Sequence, residues 1–183
     1  MPGARDPYLQ GEVSMPRHAV LIAILLAATP LLGSGPDVPA NPAIDMEAHL
    51  RLSGEAALAR ETHRVTEEEF LRMSREPGTV ILDARSAARY AELHVKGAVN
   101  LSFPDITAAS LAAVIPDRAT RVLIYCNNNF VHADSAFPTK LPAASLNLST
   151  YVSLFIYGYR NVWELGPLLD AKSCRLELES SAK

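Results

Sequence analysis

The 183-residue chain carries 17 Lys and Arg against 20 Asp and Glu, and 49% of its residues are hydrophobic. This suits one globular domain with extras, and a formal charge of -3 offers no basic face to nucleic acid. Two cysteines are too few for a disulfide scaffold, and no metal-type Cys/His spacing, phosphate-binding glycine loop or internal repeat appears, so neither a metal nor another cofactor is expected.

Residues 1–14 are polar and aperiodic, and Met15-Pro16-Arg17-His18 then leads into an apolar run over residues 19–32. Pro30 interrupts that run, which is short for a membrane span but suits the apolar core of a signal peptide with Arg17 as its positive flank. Val38-Pro39-Ala40 supplies small residues for cleavage, and Met15 is the expected true start. An uncleaved anchor and a buried helix are the alternatives. On the signal-peptide reading residues 1–40 are a leader, the mature protein is periplasmic or secreted, and the leader is its one link to a membrane.

Residues 41–63 read as a helical extension. Ala, Leu, Glu and Arg dominate from 44 to 62, with Ile44, Leu50, Leu52, Ala57 and Leu58 near helical spacing and Gly54 as a weak point where the helix can break. Arg64-Val65 is a short extended piece. Thr66 and Glu69 form a capping-box pattern for a helix running to about Arg75, before Pro77-Gly78. Residues 79–82 read as a buried strand ending at Asp83, Ser86 caps a short helix, residues 97–101 hold a short strand, and residues 106–114 read as helix.

Residues 121–125 are a second apolar strand, running directly into Cys126-Asn127-Asn128-Asn129-Phe130-Val131. Residues 127–144 have no clear period. Helical spacing returns with Leu148, Val152, Phe155 and Tyr159, followed by a short strand over 161–163 and an expected last helical turn over 165–169. Strand and helix alternate from 64 to 170, which predicts an α/β fold with a small parallel sheet covered by helices, and residues 171–183 read as an extended or frayed tail.

Cys126 therefore stands where a central strand ends, the edge at which open α/β sheets place their chemistry. The residues alone leave two readings: a small buried cysteine followed by a polar turn, or a thiolate held by inward-pointing N–H groups of a curled asparagine loop.

The order of motifs resembles the rhodanese-like domain. Val80-Ile81-Leu82-Asp83-Ala84-Arg85 is similar to that family's strand ending in Asp-x-Arg. His94-Val95-Lys96-Gly97-Ala98-Val99-Asn100 resembles its His-x-x-Gly-Ala-x-Asn segment, with Leu93 where a Gly usually stands. The Cys126 strand and Gly158-Tyr159-Arg160-Asn161-Val162 resemble its active-site strand and closing strand. The resemblance implies a rhodanese-like fold over 64–170 and a sulfurtransferase in which Cys126 is the nucleophile. A small sulfur-containing anion would be the donor and a thiol the acceptor. The backbone of Asn127, Asn128, Asn129, Phe130 and Val131 would be the anion cradle.

The chain departs from the family in its loop. Active members carry Gly and Arg after the Cys, and here neither is present, while the segment from Cys126 to Gly158 is longer than usual. Position 132, where related cysteine phosphatases need an Arg, holds His132, which argues against phosphatase chemistry. His132 and Lys140 are the candidates for cationic support in place of the Arg. Asp83, Arg85 and His94 read as structural groups near the site, with Arg85 expected to pair with a carboxylate such as Glu92. Two other functions stay open: a non-catalytic module that docks a protein partner through the long loop, and a redox protein pairing Cys126 with Cys174.

Overall fold

A computed structural model describes residues 38–182. The proposed start at Met15 and the apolar run of the leader lie outside the described residues. The chain divides after Asn41 into two units, and the fold below is that of the second.

Its elements in order are helix α1 (Met46–Glu61), strand β1 (Arg64–Val65), α2 (Glu67–Ser74), β2 (Thr79–Asp83), α3 (Ala87–Glu92), β3 (His94–Val95), β4 (Val99–Asn100), α4 (Ala108–Val114), β5 (Arg121–Tyr125), β6 (Phe130–Val131), α5 (Leu146–Ile156), β7 (Val162–Leu165), β8 (Leu169–Asp170) and β9 (Leu178–Glu179). Five of the strands form one parallel sheet in the order β1-β7-β5-β2-β4. The central position of β5 follows from its sequence. Val122, Leu123, Ile124 and Tyr125 are all buried, and a strand without a polar face is stable where both faces are covered.

Alternation along β5 divides the core. Val122 and Ile124 face a layer built from Ala56 of α1, Leu111 of α4, and Tyr151, Leu154 and Phe155 of α5. Leu123 and Tyr125 face the other layer, with Phe70 and Met73 of α2, Phe130, Phe137 and Leu176. Phe70 and Leu154 are fully buried, each contributing about 1.5–3 kcal/mol of transfer free energy.

Several elements differ from the sequence reading. α1 runs through Gly54 without a break, and its inward side is Leu52, Ala56 and Ala59, whereas Leu50 and Leu58 are exposed. Packing on α5 selected that side, and the apolar pattern alone did not. Thr66 caps α2 by accepting from the Glu69 N–H at 3.2 Å, but the Glu69 carboxylate turns to Arg72 rather than back to the cap. Residues 165–169 form no helical turn: β7 ends at Leu165, and Leu169–Asp170 pairs with β6. The tail is extended and docked, since β9 pairs with β3 and Leu176 enters the core. Neither pairing was visible locally, because a two-residue strand has no period to read.

Candidate active site

β5 delivers Cys126 to the carboxyl edge of the sheet in extended conformation, and Asn127–Asn129 then form one 3-10 turn. Asn129 holds this turn in place. Its Oδ1 accepts from the Cys126 N–H at 2.9 Å and from Asn147 Nδ2 at 3.1 Å. Its Nδ2 donates to the Leu165 carbonyl at 2.8 Å and the Pro167 carbonyl at 3.1 Å. Asn147 Nδ2 also lies 3.3 Å from Glu164 Oε1, and Glu164 receives a two-point guanidinium contact from Arg60, one bond at 2.8 Å. A buried polar chain therefore runs from helix α1 through β7 and α5 to the Cys126 backbone.

The Cys126 Sγ lies 3.4 Å from the Ser145 hydroxyl. Ser145 occupies the N-cap position of α5, yet its side chain makes no capping bond and faces the sulfur. Cys126 is 1% exposed and borders a cavity of about 280 Å³, into whose lining Arg60, Arg64, Ser145, Asn147 and Glu164 also enter. Both thiols are free. Cys174 packs in the layer of Leu176 and donates to the Leu176 carbonyl at 3.5 Å, and burial followed by the nearby Glu67 charge pushes its thiol up from the ordinary range.

The loop is a tighter turn than the curled cradle of residues 127–131 expected from the sequence. The Asn129 N–H donates to the Cys126 carbonyl at 3.1 Å, and the Phe130 N–H to the Asn127 carbonyl. Phe130 and Val131 continue into the ladder with β8, and the Phe130 ring is buried in the core. The Asn129 and Phe130 N–H groups are thus taken by backbone acceptors inside the turn, which leaves them turned away from an anion.

Asn127 Nδ2 donates to the Pro138 carbonyl at 2.8 Å. Asn128 and Lys140 exchange two bonds through the Asn128 amide and the Lys140 backbone, at 2.8 and 3.1 Å. This ties the long loop down but leaves Lys140 on a different cavity, beside Arg85, Arg89 and Asn127. His132, with φ of 62°, pairs its Nδ1 with Asp170 at 3.0 Å. Neither expected cation enters the lining of the Cys126 cavity.

Asp83 and Arg85 form a buried ion pair with a 2.5 Å contact, correcting the expected partner of Arg85: Glu92 is held by Arg89 instead. The Arg85 guanidinium also donates to the Ala136 and Leu93 carbonyls at 2.9 and 2.7 Å. Tyr125 donates to Asp83 at 2.5 Å and accepts from the Val95 N–H at 3.0 Å. Burial and then the Asp83 charge push the Tyr125 phenol well above its usual range. His94 is buried, donates from Nδ1 to the Tyr90 carbonyl at 2.7 Å and stacks on the Tyr90 ring. None of Asp83, Arg85 and His94 lines the Cys126 cavity.

Sequence reading missed Arg60, Arg64, Ser145, Asn147 and Glu164. Two carried a signal. Glu164 stands inside the apolar strand Val162–Leu165, and Asn147 lies on the buried side of α5; a polar group in such a place needs a partner.

The rhodanese-like domain family model matches residues 66–165, and the chain belongs to that family. Among solved structures, the BH2092 protein of Bacillus halodurans aligns at 16% identity and a TM-score of 0.48, covering 72% of this chain and 87% of that one. A thiosulfate sulfurtransferase of Pseudomonas aeruginosa aligns at 20% identity and 0.47, covering 73% and 23%. A rhodanese with anions from E. coli aligns at 22% identity and 0.39, covering 56% and 98%. A comparison with curated proteins finds no match. Among the described residues no helix is long and apolar enough to cross a membrane, and no His, Cys, Asp and Glu cluster suits a metal.

Proposed function

We propose that the chain is a sulfurtransferase that carries sulfane sulfur on Cys126. The observation that supports this most directly is the sulfur's position: at the carboxyl end of the central strand, against the Ser145 hydroxyl, on a polar cavity with two arginines. The Cys126 thiolate attacks the outer sulfur of a donor such as thiosulfate. The donor's S–S bond breaks, sulfite leaves with the electron pair, and a persulfide forms on Cys126. An acceptor thiolate then attacks that outer sulfur, and Cys126 leaves as thiolate. Ser145 donates a hydrogen bond to the sulfur whenever it is anionic. Export through the leader, with cleavage near Ala40, would place this chemistry in the periplasm or outside the cell.

Intact mass before and after thiosulfate, under non-reducing conditions and beside Cys126→Ser, tests the reading. The expected result is a reducible gain of one sulfur atom that the variant lacks; the starting mass also reports whether the leader is removed. No gain would sink it. A second reading, a binding module using the long loop, draws support from the self-closed turn and the 1% exposure of Cys126. Loss of a partner on trimming residues 134–142, with Cys126→Ser silent, would favour that reading.

A further inference from the structure

The charges around the Cys126 cavity do not cancel. Arg60, Arg64 and Glu164 are the charged residues of its lining. Arg60 and Glu164 neutralise each other through their two-point contact. Arg64 lies opposite Glu164 in the β1–β7 register, yet the Glu164 carboxylate turns to Arg60, and among the described residues Arg64 takes part in no ion pair. Its guanidinium makes one long bond, 3.3 Å from Nη2 to the Gly166 carbonyl. Gly166 brings the two strands together here: its N–H donates to the Val65 carbonyl at 2.9 Å, and a Cβ would stand 3.1 Å from that oxygen. Arg64 also borders a neighbouring cavity with Glu67, Glu68 and Arg175; neither carboxylate is within ion-pair distance of Arg64, and Glu67 accepts from the Arg175 and Leu176 N–H groups.

We infer that Arg64 is a specificity-determining residue that makes the Cys126 sulfur favour small anionic reagents over neutral ones. The inference rests on reading Cys126 as the nucleophile. An exposed arginine with unused donors, in the lining of the same cavity as the thiol, attracts an anion as it enters and offers a planar fork to an oxyanion once there.

The test compares Cys126 alkylation by iodoacetate and by iodoacetamide, which differ in charge and share their chemistry. The protein is the full mature chain with Cys174→Ser, so that one thiol reports. Arg64→Ala should lower the iodoacetate-to-iodoacetamide rate ratio about five- to tenfold, because the attracting charge is gone. Arg64→Lys should keep most of the ratio, and added salt should lower it in the parent but not in Arg64→Ala. Arg51→Ala, which removes a distant charge on α1, is the control. An unchanged ratio in Arg64→Ala, an equal fall in Arg51→Ala, or a Cys126 inert to both reagents would overturn the inference. If thiosulfate adds no sulfur while Arg64→Ala still lowers the ratio, the sulfurtransferase reading fails and this one stands. A persulfide that forms with the ratio unmoved gives the reverse.

Discussion

Two buried polar networks sit at the same edge of the sheet, each built on an arginine and a carboxylate. In the first, Asp83, Arg85 and Tyr125 satisfy one another and collect the carbonyls of Leu93 and Ala136 and the N–H of Val95. In the second, Arg60, Glu164, Asn147 and Asn129 link α1 to the Cys126 turn but stop at a cavity, and Asn147 Oδ1 is left without a hydrogen-bond partner. The difference is one of closure: Arg85 also borders a cavity, the one beside Lys140, but each of its three guanidinium nitrogens is paired. A network whose groups are all paired fastens β2, β5 and the His94 segment together. A network that lines a cavity beside a thiol leaves room for a ligand in that cavity.

The largest expected effect is at the closed network. Asp83→Ala strands the Arg85 guanidinium without its carboxylate in the core, and should cost about 3–5 kcal/mol in urea unfolding. A loss below about 1 kcal/mol would erase the distinction between the networks. Glu164→Ala should cost less, about 2 kcal/mol, because the Arg60 side chain is 25% exposed and regains water. It should also change the Cys126 alkylation rate, which Asp83→Ala is not expected to do beyond its effect on folding.

Tyr125→Phe should cost about 1–2 kcal/mol through two lost bonds. It also carries a pH signature. The folded-state phenol titrates above its unfolded value of about 10, so near and above that pH the unfolded chain releases this proton first. The Tyr125 contribution is whole below about pH 10 and falls as pH rises. Wild-type stability should therefore drop more steeply at alkaline pH than that of Tyr125→Phe, as urea midpoints measured across that range will show. Parallel profiles would contradict the buried neutral phenol.

The smallest effect is at Cys174. Cys174→Ser should cost less than about 1 kcal/mol and leave sulfur loading of Cys126 intact, whereas a protein that worked through a Cys126–Cys174 couple would lose its function. Alkylation of Cys174 should need higher pH than an ordinary thiol, because burial raises it.

The fold was largely legible because its central strands announce themselves. Residues 79–83 and 121–125 are apolar runs too short for helices, and the motifs around them come in family order. Of the candidate site, the position of Cys126 at the end of β5 was legible. The shape of the loop was not legible because three consecutive asparagines are compatible with a wide curl and with a tight turn, and partners of the Asn129 side chain, Asn147 and the Leu165 carbonyl, select the turn. The cations were misread because sequence proximity favoured His132 and Lys140. His132 is held by Asp170, and the Lys140 backbone by Asn128.

By itself the sequence determined the alternation of strand and helix, the place of Cys126 at a strand end, and the absence of a loop arginine, since these rest on local period and on residue identity. Tertiary structure decided which charges meet that cysteine. Arg60 and Arg64 come from the amino-terminal extension and the first strand, and they reach the site because β7 lies between β1 and β5 in the sheet. Strand order is settled by non-local packing, and no local pattern encodes it.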